Sequence, residues 1–382
     1  MKAEIITDLM FGDSGKGITV DHRCSLHPNG TIVIRYTGGH QAGHSVHVDG
    51  KSHIFSNYGS GGFRGVPTYF TEHCTMYPIT RWNELQVLKD KMREPLVIYH
   101  PLVKITTPYD VIYNRVIEKR NGHGSCGLGI GTTMARNNET GYKLYAIDLS
   151  NKAILDVKLN NINNYYRSKF PDFKERDMFD SASTKEREAF DKALDNLHIT
   201  IASYDSLKKY EHLIFEGAQG VLLDMNHGIF PNVTYGNTTS KNALEVCEKI
   251  GVTDISIFYI TRCYQTRHGN GWMSNNDPIE LIRNEHEINV YNEWQGKFKI
   301  GEIDYDLLNY SIAVDTIYSK QLPKNLVVTC LDQRKDFSFQ YWKIINSSFD
   351  KIYNSFSPDS NDMVEFTLPM STDEYLKLTT QR

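Results

Sequence analysis

Short runs of apolar and β-branched residues recur along the chain, at Ala3–Thr7, Thr31–Arg35, Leu213–Phe215, Ile255–Ile260 and Leu326–Thr329. Runs of this length with little alternation predict strands buried on both faces, as in a parallel sheet. The sequence after each run is more informative than the run. The first leads into Gly12-Asp13-Ser14-Gly15-Lys16-Gly17, and the second into Thr37-Gly38-Gly39-His40-Gln41-Ala42-Gly43-His44-Ser45. The third leads into Glu216-Gly217-Ala218-Gln219-Gly220, the fourth into residues 261–269, and the last into Cys330-Leu331-Asp332. Ligands of open parallel α/β sheets bind outside the carboxyl ends of the strands. Any one of these segments is compatible with an ordinary strand-to-helix turn; their repetition predicts one composite site.

The stretch 151–205 reads differently, being rich in Asn, Lys, Asp and Tyr. Ser183-Thr184 followed by Glu186 and Glu188 predicts a capped helix start, with Phe190, Ala193, Leu194 and Leu197 on its apolar face. The expectation is a helical insertion covering the sheet, with Phe190 in the core. The fold predicted for 1–382 is α/β, one domain with a large, mostly parallel central sheet and flanking helices.

Composition narrows the function. Lys plus Arg number 42 against 46 Asp plus Glu, a formal net charge of −4. That balance lacks the electrostatic footprint of a duplex nucleic-acid binder. Six scattered cysteines without a Cys-x-x-Cys pair predict free thiols in a reducing, cytoplasmic setting, not a disulfide framework or zinc site. No run approaches the roughly 20 apolar residues of a membrane span, and the chain enters its first strand with no signal-peptide pattern.

The first loop carries the chemistry. Backbone N–H groups of a glycine-rich turn, a lysine and the start of a helix together hold phosphate. A standard P-loop places four residues between its first glycine and the Gly-Lys pair; here Asp13 and Ser14 fill the whole gap. His40, His47 and His53 lack the spacing of a helix-borne zinc pair, and Cys126 has no marked base to make it a nucleophile.

Taken together these motifs resemble the adenylosuccinate synthetase family. Its first loop has the form Gly-Asp-Glu-Gly-Lys-Gly, matched at Gly12–Gly17 except for Ser14. Its Gly-Gly-x-Asn-Ala-Gly-His-Thr loop is matched at Gly38–Ser45, with Gln41 and Ser45 substituted. Phe-Glu-Gly-Ala-Gln-Gly-x-Leu-Leu-Asp is complete at Phe215–Asp224, and Tyr-x-Thr-Arg-x-Gly-x-Gly is matched at Tyr264–Gly271. The resemblance covers residues 1 to about 335 and implies a P-loop-like synthetase with helical insertions, which joins aspartate to C6 of a purine nucleotide using a nucleoside triphosphate and Mg²⁺.

By that resemblance Asp13 is the base that takes the purine N1 proton, and Lys16, His44 and Ser14 complete the catalytic set. The triphosphate is expected on Gly12, Ser14, Gly15, Lys16, Gly17, Gly43, His44, Ser45 and Asp332. The acceptor nucleotide is expected on Asp13, His40, Gln41, Ser125, Cys126, Arg136, Gln219 and Thr234, with Arg136 the candidate to reach across a homodimer. Aspartate is expected on Gln295, Gly296, Lys297 and Lys299, although two such lysines also suit an ordinary charged surface. Mg²⁺ is expected on the Asp13 carboxylate and the Gly43 carbonyl.

Departures from the family pattern point to its phage branch, which acts on dGMP with ATP or dATP to make a precursor of 2-aminoadenine. Ser14 replaces a glutamate beside the base, giving room and an acceptor for a 2-amino group. Gln41 replaces an asparagine facing C6. Cys330 replaces the lysine that lies against guanine in the donor, and the aspartate loop is reduced to Gln295–Asp304. Two other readings stand beside this one: a synthetase acting on IMP, and a nucleotide sensor without catalysis.

Overall fold

All five predicted strands are present, each at least as long as its apolar run, and five more join them in a ten-stranded sheet. The computed structural model describes residues 1–121, 127–269, 271–277, 279–282, 298–334, 339–344 and 349–366. In chain order the strands are β1 (Lys2–Asp8), β2 (Thr31–Arg35), β3 (Thr68–Phe70), β4 (Val97–Tyr99) and β5 (Thr200–Ile201). They continue with β6 (His212–Glu216), β7 (Asp254–Arg262), β8 (Lys324–Thr329), β9 (Lys351–Ser355) and β10 (Met363–Phe366). Their order across the sheet is β10-β9-β8-β7-β1-β6-β2-β3-β4-β5. Neighbours run parallel except β9 and β10. The five strands absent from the sequence expectation are mostly two to five residues long, too short for periodicity to mark.

β1 lies at the centre because its run Ala3–Asp8 is buried throughout. Ile5 pairs in register with Phe215 of β6 on one side and Ile257 of β7 on the other. Successive side chains leave opposite faces of the strand. Ala3 and Ile5 join a core with Ala243, Val246 and Ile250 of α7 (Lys241–Ile250) and Leu308 and Ile312 of α8 (Tyr305–Ser319). Ile6 joins a second core with Ile18, Val20 and Cys24 of α1 (Lys16–Leu26). The sheet is thus the middle of three layers.

The remaining helices are α2 (Pro78–Leu88), α3 (Pro108–Asn121), α4 (Ile130–Glu139), α5 (Lys152–Arg167) and α6 (Phe173–Asn196). The predicted helix start at Ser183 is corrected. α6 begins ten residues earlier, where the Asp172 carboxylate accepts the Glu175 N–H at 3.1 Å, and Ser183 is buried inside it. A true N-cap precedes the first helical residue, and Asp172 stands there while Ser183 does not. Phe190 is fully buried, as expected. It packs 6.3 Å from the Tyr77 ring, just before α2, so the inserted helices cover other helices as well as the sheet edge. The stretch 151–205 also contains β5, a strand of the central sheet, and ends at the start of a 3₁₀ turn, Tyr204–Lys209.

Among the described residues no helix is long and apolar enough to cross a membrane. The five described cysteines are free thiols. Replacing Phe190 with alanine opens a cavity in the helical core, costing about 3–5 kcal/mol. Urea denaturation should show this as a lower midpoint with an unchanged slope.

Candidate active site

The loops after β1, β2, β6, β7 and β8 meet at the carboxyl edge of the sheet, and named contacts join them. The Lys16 ammonium, from the first loop, donates to the Gln219 carbonyl of the third at 3.0 Å. Thr329 at the end of β8 donates to the Ser14 carbonyl at 2.9 Å. Arg262 at the end of β7 donates through Nε to the Asp13 carbonyl. The first loop turns by way of left-handed backbone at Gly12, Asp13 and Gly15, with φ of 102°, 58° and 91°. At Gly15 a Cβ would also lie 2.8 Å from a Thr329 methyl, so a side chain fails there twice. Helix α1 then starts at Lys16 with no side-chain cap and no acid in its first turn, leaving its N–H groups free to receive an anion.

Asp8 organises this loop from below, a role absent from the sequence expectation. Its carboxylate accepts Met10 N–H at 3.0 Å, Ser14 N–H at 3.1 Å, Ser14 Oγ at 2.8 Å and Lys16 Nζ at 2.7 Å. The available signal was an acid closing an apolar run just before the glycines. Ser14 is corrected accordingly. Its side chain faces inward on Asp8, and at 2 % exposure it presents no hydroxyl to a substrate or to ATP.

Asp13 keeps its carboxyl about a third exposed, with Oδ2 3.2 Å from His268 Nε2. Burial pushes its pKa up. The His268 hydrogen bond and the charges of His268, Arg262 and Lys16 outweigh that and hold it at about 2. His268 and Arg262 belong to the marked segment 261–269, but no residue-level signal in the sequence singled them out.

His44 opens a two-stranded ribbon, His44–Val48 with Lys51–Phe55. Its Nδ1 donates to Glu216 Oε1 at 2.5 Å, and Glu216 also receives the Ser60 N–H and hydroxyl. Burial pulls the imidazole down to about 4 even though Glu216 favours its charge. Burial alone would push Glu216 up, but Arg35, His44 and Ser60 hold it at about 2. The ribbon packs tightly on α1, since a Cβ on Gly17 would lie 2.3 Å from the Ser45 carbonyl.

The acceptor-nucleotide set divides. Gln41 and Gln219 both hold carboxamide oxygens that are buried without a protein partner, and Gln219 sits at a φ of 55°. These are acceptors waiting for donors. Thr234 is half-buried, its N–H donating to the Leu223 carbonyl at 2.8 Å. His40 is corrected. It is 3 % exposed, with Nε2 3.1 Å from the Leu128 carbonyl and Nδ1 3.4 Å from Thr75 Oγ1, so both ring nitrogens are engaged by protein. It braces the second loop against the segment leading into α4.

Arg136 is corrected as well. It is buried, clamps both Asp110 oxygens at 2.8 Å, and donates to the carbonyls of Ile105 and Tyr142. A guanidinium so committed cannot extend to a phosphate in another subunit. Ser125 and Cys126 lie outside the described residues, as do Gln295, Gly296 and Lys297.

Lys299 is described, on the strand Phe298–Glu302 that pairs antiparallel with Tyr264–His268 and sets it opposite Arg267. It donates to the Gly271 carbonyl at 2.6 Å. Burial, then the charge of Arg267, lowers its pKa. Burial brings Arg267 itself down to about 10. Arg267 donates to the Trp272 carbonyl at 2.6 Å and the Asn232 carbonyl at 3.1 Å, so the two neighbouring cations both rest on backbone oxygens. Sequence reasoning had named Lys299 and missed Arg267. At the far end of the site Asp332 stands in a short 3₁₀ turn (Leu331–Gln333) after Cys330, which has a φ of 59°.

A P-loop-like cradle with an acid inside it, on a parallel sheet, defines a phosphate-handling enzyme of the synthetase type. A model of the family described as adenylosuccinate synthetase matches residues 5–339. The adenylosuccinate synthetase of Chlorobium chlorochromatii is 30% identical over 356 residues, covering 87% of this chain and 78% of that protein. That of Buchnera aphidicola subsp. Schizaphis graminum is 29% identical over 381 residues, covering 92% and 83%. Among solved structures, the fully ligated adenylosuccinate synthetase of Plasmodium falciparum superposes with a TM-score of 0.61 at 18% identity, over 96% of this chain and 88% of that one. The succinoaminodeoxyadenylate synthetase of cyanophage S-2L, bound to dGMP and dATP, gives 0.64 at 14% identity, over 100% and 99%. The chain belongs to the adenylosuccinate synthetase family, and is therefore a carbon–nitrogen ligase.

Two outcomes follow from the corrected residues. His40 is lowered to about 4 by burial, so between pH 6.5 and 4 the unfolded chain binds a proton that the folded one does not. Stability from this group is full above pH 6.5 and falls as pH drops to 4, by about 1.4 kcal/mol per pH unit at most. His40→Asn should flatten that slope in thermal unfolding. Arg136→Ala strands the buried Asp110 carboxylate and should cost about 3–5 kcal/mol in chemical denaturation. The KM for nucleotide should stay unchanged in the protein that remains folded.

Proposed function

We propose that this ligase condenses L-aspartate with dGMP at C6, driven by ATP or dATP. The observation that carries the reaction is an ionised carboxylate, Asp13, set inside a phosphate-binding loop. A base must be unprotonated at neutral pH, and a pKa near 2 secures that. Asp13 takes the N1 proton of the 6-oxopurine, and O6 attacks the γ-phosphorus, breaking its bond to the β,γ-bridging oxygen and releasing ADP or dADP. Lys16 and the α1 N-terminus stabilise the charge on the transferring group. Glu216 fixes the Nδ1–H tautomer of His44, so Nε2 is the ring nitrogen left to take up a proton. A proton taken up there as phosphates bind turns His44 into a donor. The amine of aspartate then attacks C6, the C6–O6 bond breaks and O6 leaves as inorganic phosphate, with Arg267 and Lys299 holding the carboxylates of aspartate.

Mg²⁺ suits the donors proposed, the partly exposed Asp13 carboxylate and the carbonyl of Gly43, an exposed residue, both hard oxygen ligands of the kind Mg²⁺ takes together with water and phosphate. When bound it neutralises phosphate charge.

Guanine is favoured over hypoxanthine by three features. Ser14 is shorter than the family's glutamate and its hydroxyl is held by Asp8, so what it offers a 2-amino group is a smaller side chain and not an acceptor. The unpaired amide oxygens of Gln41 and Gln219 can serve as acceptors for purine N–H groups. The cyanophage enzyme that binds dGMP and dATP is matched end to end, whereas the first curated relative extends beyond this chain. Those curated relatives, named adenylosuccinate synthetases, favour the second reading, in which IMP is the acceptor.

Crossing dGMP, GMP, dAMP and IMP with ATP, dATP or GTP, and measuring phosphate release with aspartate present, separates the two. The expected result is highest kcat/KM with dGMP and an adenine donor; equal or better turnover of IMP with GTP would reject it. Asp13→Asn should reduce kcat at least 100-fold while nucleotide still binds.

A further inference from the structure

Lys16 is the cation a triphosphate needs, yet its ammonium is already occupied. It rests 2.7 Å from Asp8 Oδ2, with the two side chains only 3% and 0% exposed. A buried lysine without an anion is expensive, and so is a buried carboxylate without a cation. Each answers the other. Ser14 completes the arrangement by donating to the second Asp8 oxygen at 2.8 Å. A glutamate at position 14 would instead set a second carboxylate against Asp8, so Asp8 and the short Ser14 belong together.

We propose that Asp8 is a positioning residue that serves as the resident counter-ion of Lys16, and that nucleotide binding is an exchange of counter-ions. The Lys16 ammonium passes from the Asp8 carboxylate to a phosphate oxygen of the arriving triphosphate. The backbone around it is already set, because Met10 and Ser14 N–H groups stay on Asp8. This rests on the reading of the loop as a triphosphate cradle. It adds that the cradle's affinity is held below what its donors could deliver, since binding must first break a buried ion pair.

A loop anchor and a counter-ion predict opposite signs. If Asp8 only shaped the loop, removing its charge would loosen the cradle and weaken ATP binding. If it competes with phosphate for Lys16, removing its charge destabilises the empty protein and tightens ATP binding. The test uses the full chain with ATP and Mg²⁺, by titration calorimetry and by thermal unfolding with and without nucleotide. Asp8→Asn keeps an acceptor for the Met10 N–H and the Ser14 hydroxyl, which share Oδ1, and loses the Oδ2 acceptor of Ser14 N–H and Lys16; Asp8→Ser is a second, smaller replacement. The expected result is a lower unfolding temperature without nucleotide, a larger rise on adding ATP, and a Kd about tenfold tighter, the scale of one lost charge-assisted bond. Recovery of folded variant only when ATP and Mg²⁺ are present would support the same conclusion. An unchanged or weaker Kd in either folded variant, or failure of both to fold even with nucleotide, overturns it. A wild-type protein that binds no nucleotide rejects the cradle itself, which is a different failure.

Discussion

The site depends on one constraint, the burial of β1 between β6 and β7. A strand with apolar side chains on both faces must be covered on both faces and paired on both edges. Pairing it in parallel with two partners brings three chain segments to their carboxyl ends at one level. The polar residues that follow cannot continue into the core, so they turn out together. The proximity of Asp13, Gln219 and Arg262 is therefore a consequence of sheet register as much as of loop sequence.

Electrostatics does the rest within that geometry. The loops carry more buried charge than an ordinary turn would tolerate, and each charge has an answer nearby: Lys16 with Asp8, His44 with Glu216, Asp13 with His268 and Arg262. Arg35, fully buried under the second loop, donates to the Ala42 carbonyl at 3.0 Å and helps keep Glu216 ionised. These pairs are costly to desolvate and gain little net stability. Their value lies in fixing protonation states, which phosphoryl transfer through a 6-oxopurine requires.

Much of this was legible in the chain. The five long strands were marked by unbroken apolar runs, and the loops by what followed them. Asp13, Lys16 and His44 were named from motif and chemistry together. Asp8, Glu216, His268 and Arg267 were not given roles, because a supporting side chain is recognised by what it touches across the fold. Arg136 and His40 show the converse error. Each has a residue type and position that suit a ligand, yet each is spent on protein partners whose nearness only the tertiary structure supplies. Ser14 lies between the two cases: it was singled out for its size and its hydroxyl, and the hydroxyl is turned onto Asp8.

The margins of the sheet differ from its centre. At one side stands β5, two residues long, and at the other, among the described residues, β10, antiparallel to β9. Unpaired strand edges are templates on which another chain can add itself. A margin as short as β5 offers few free backbone groups for such an addition. A sheet wide enough to gather five loops would otherwise be prone to assemble side by side with its copies. The narrowing from seven residues in β1 to two in β5 keeps that side of the sheet from becoming an aggregation surface.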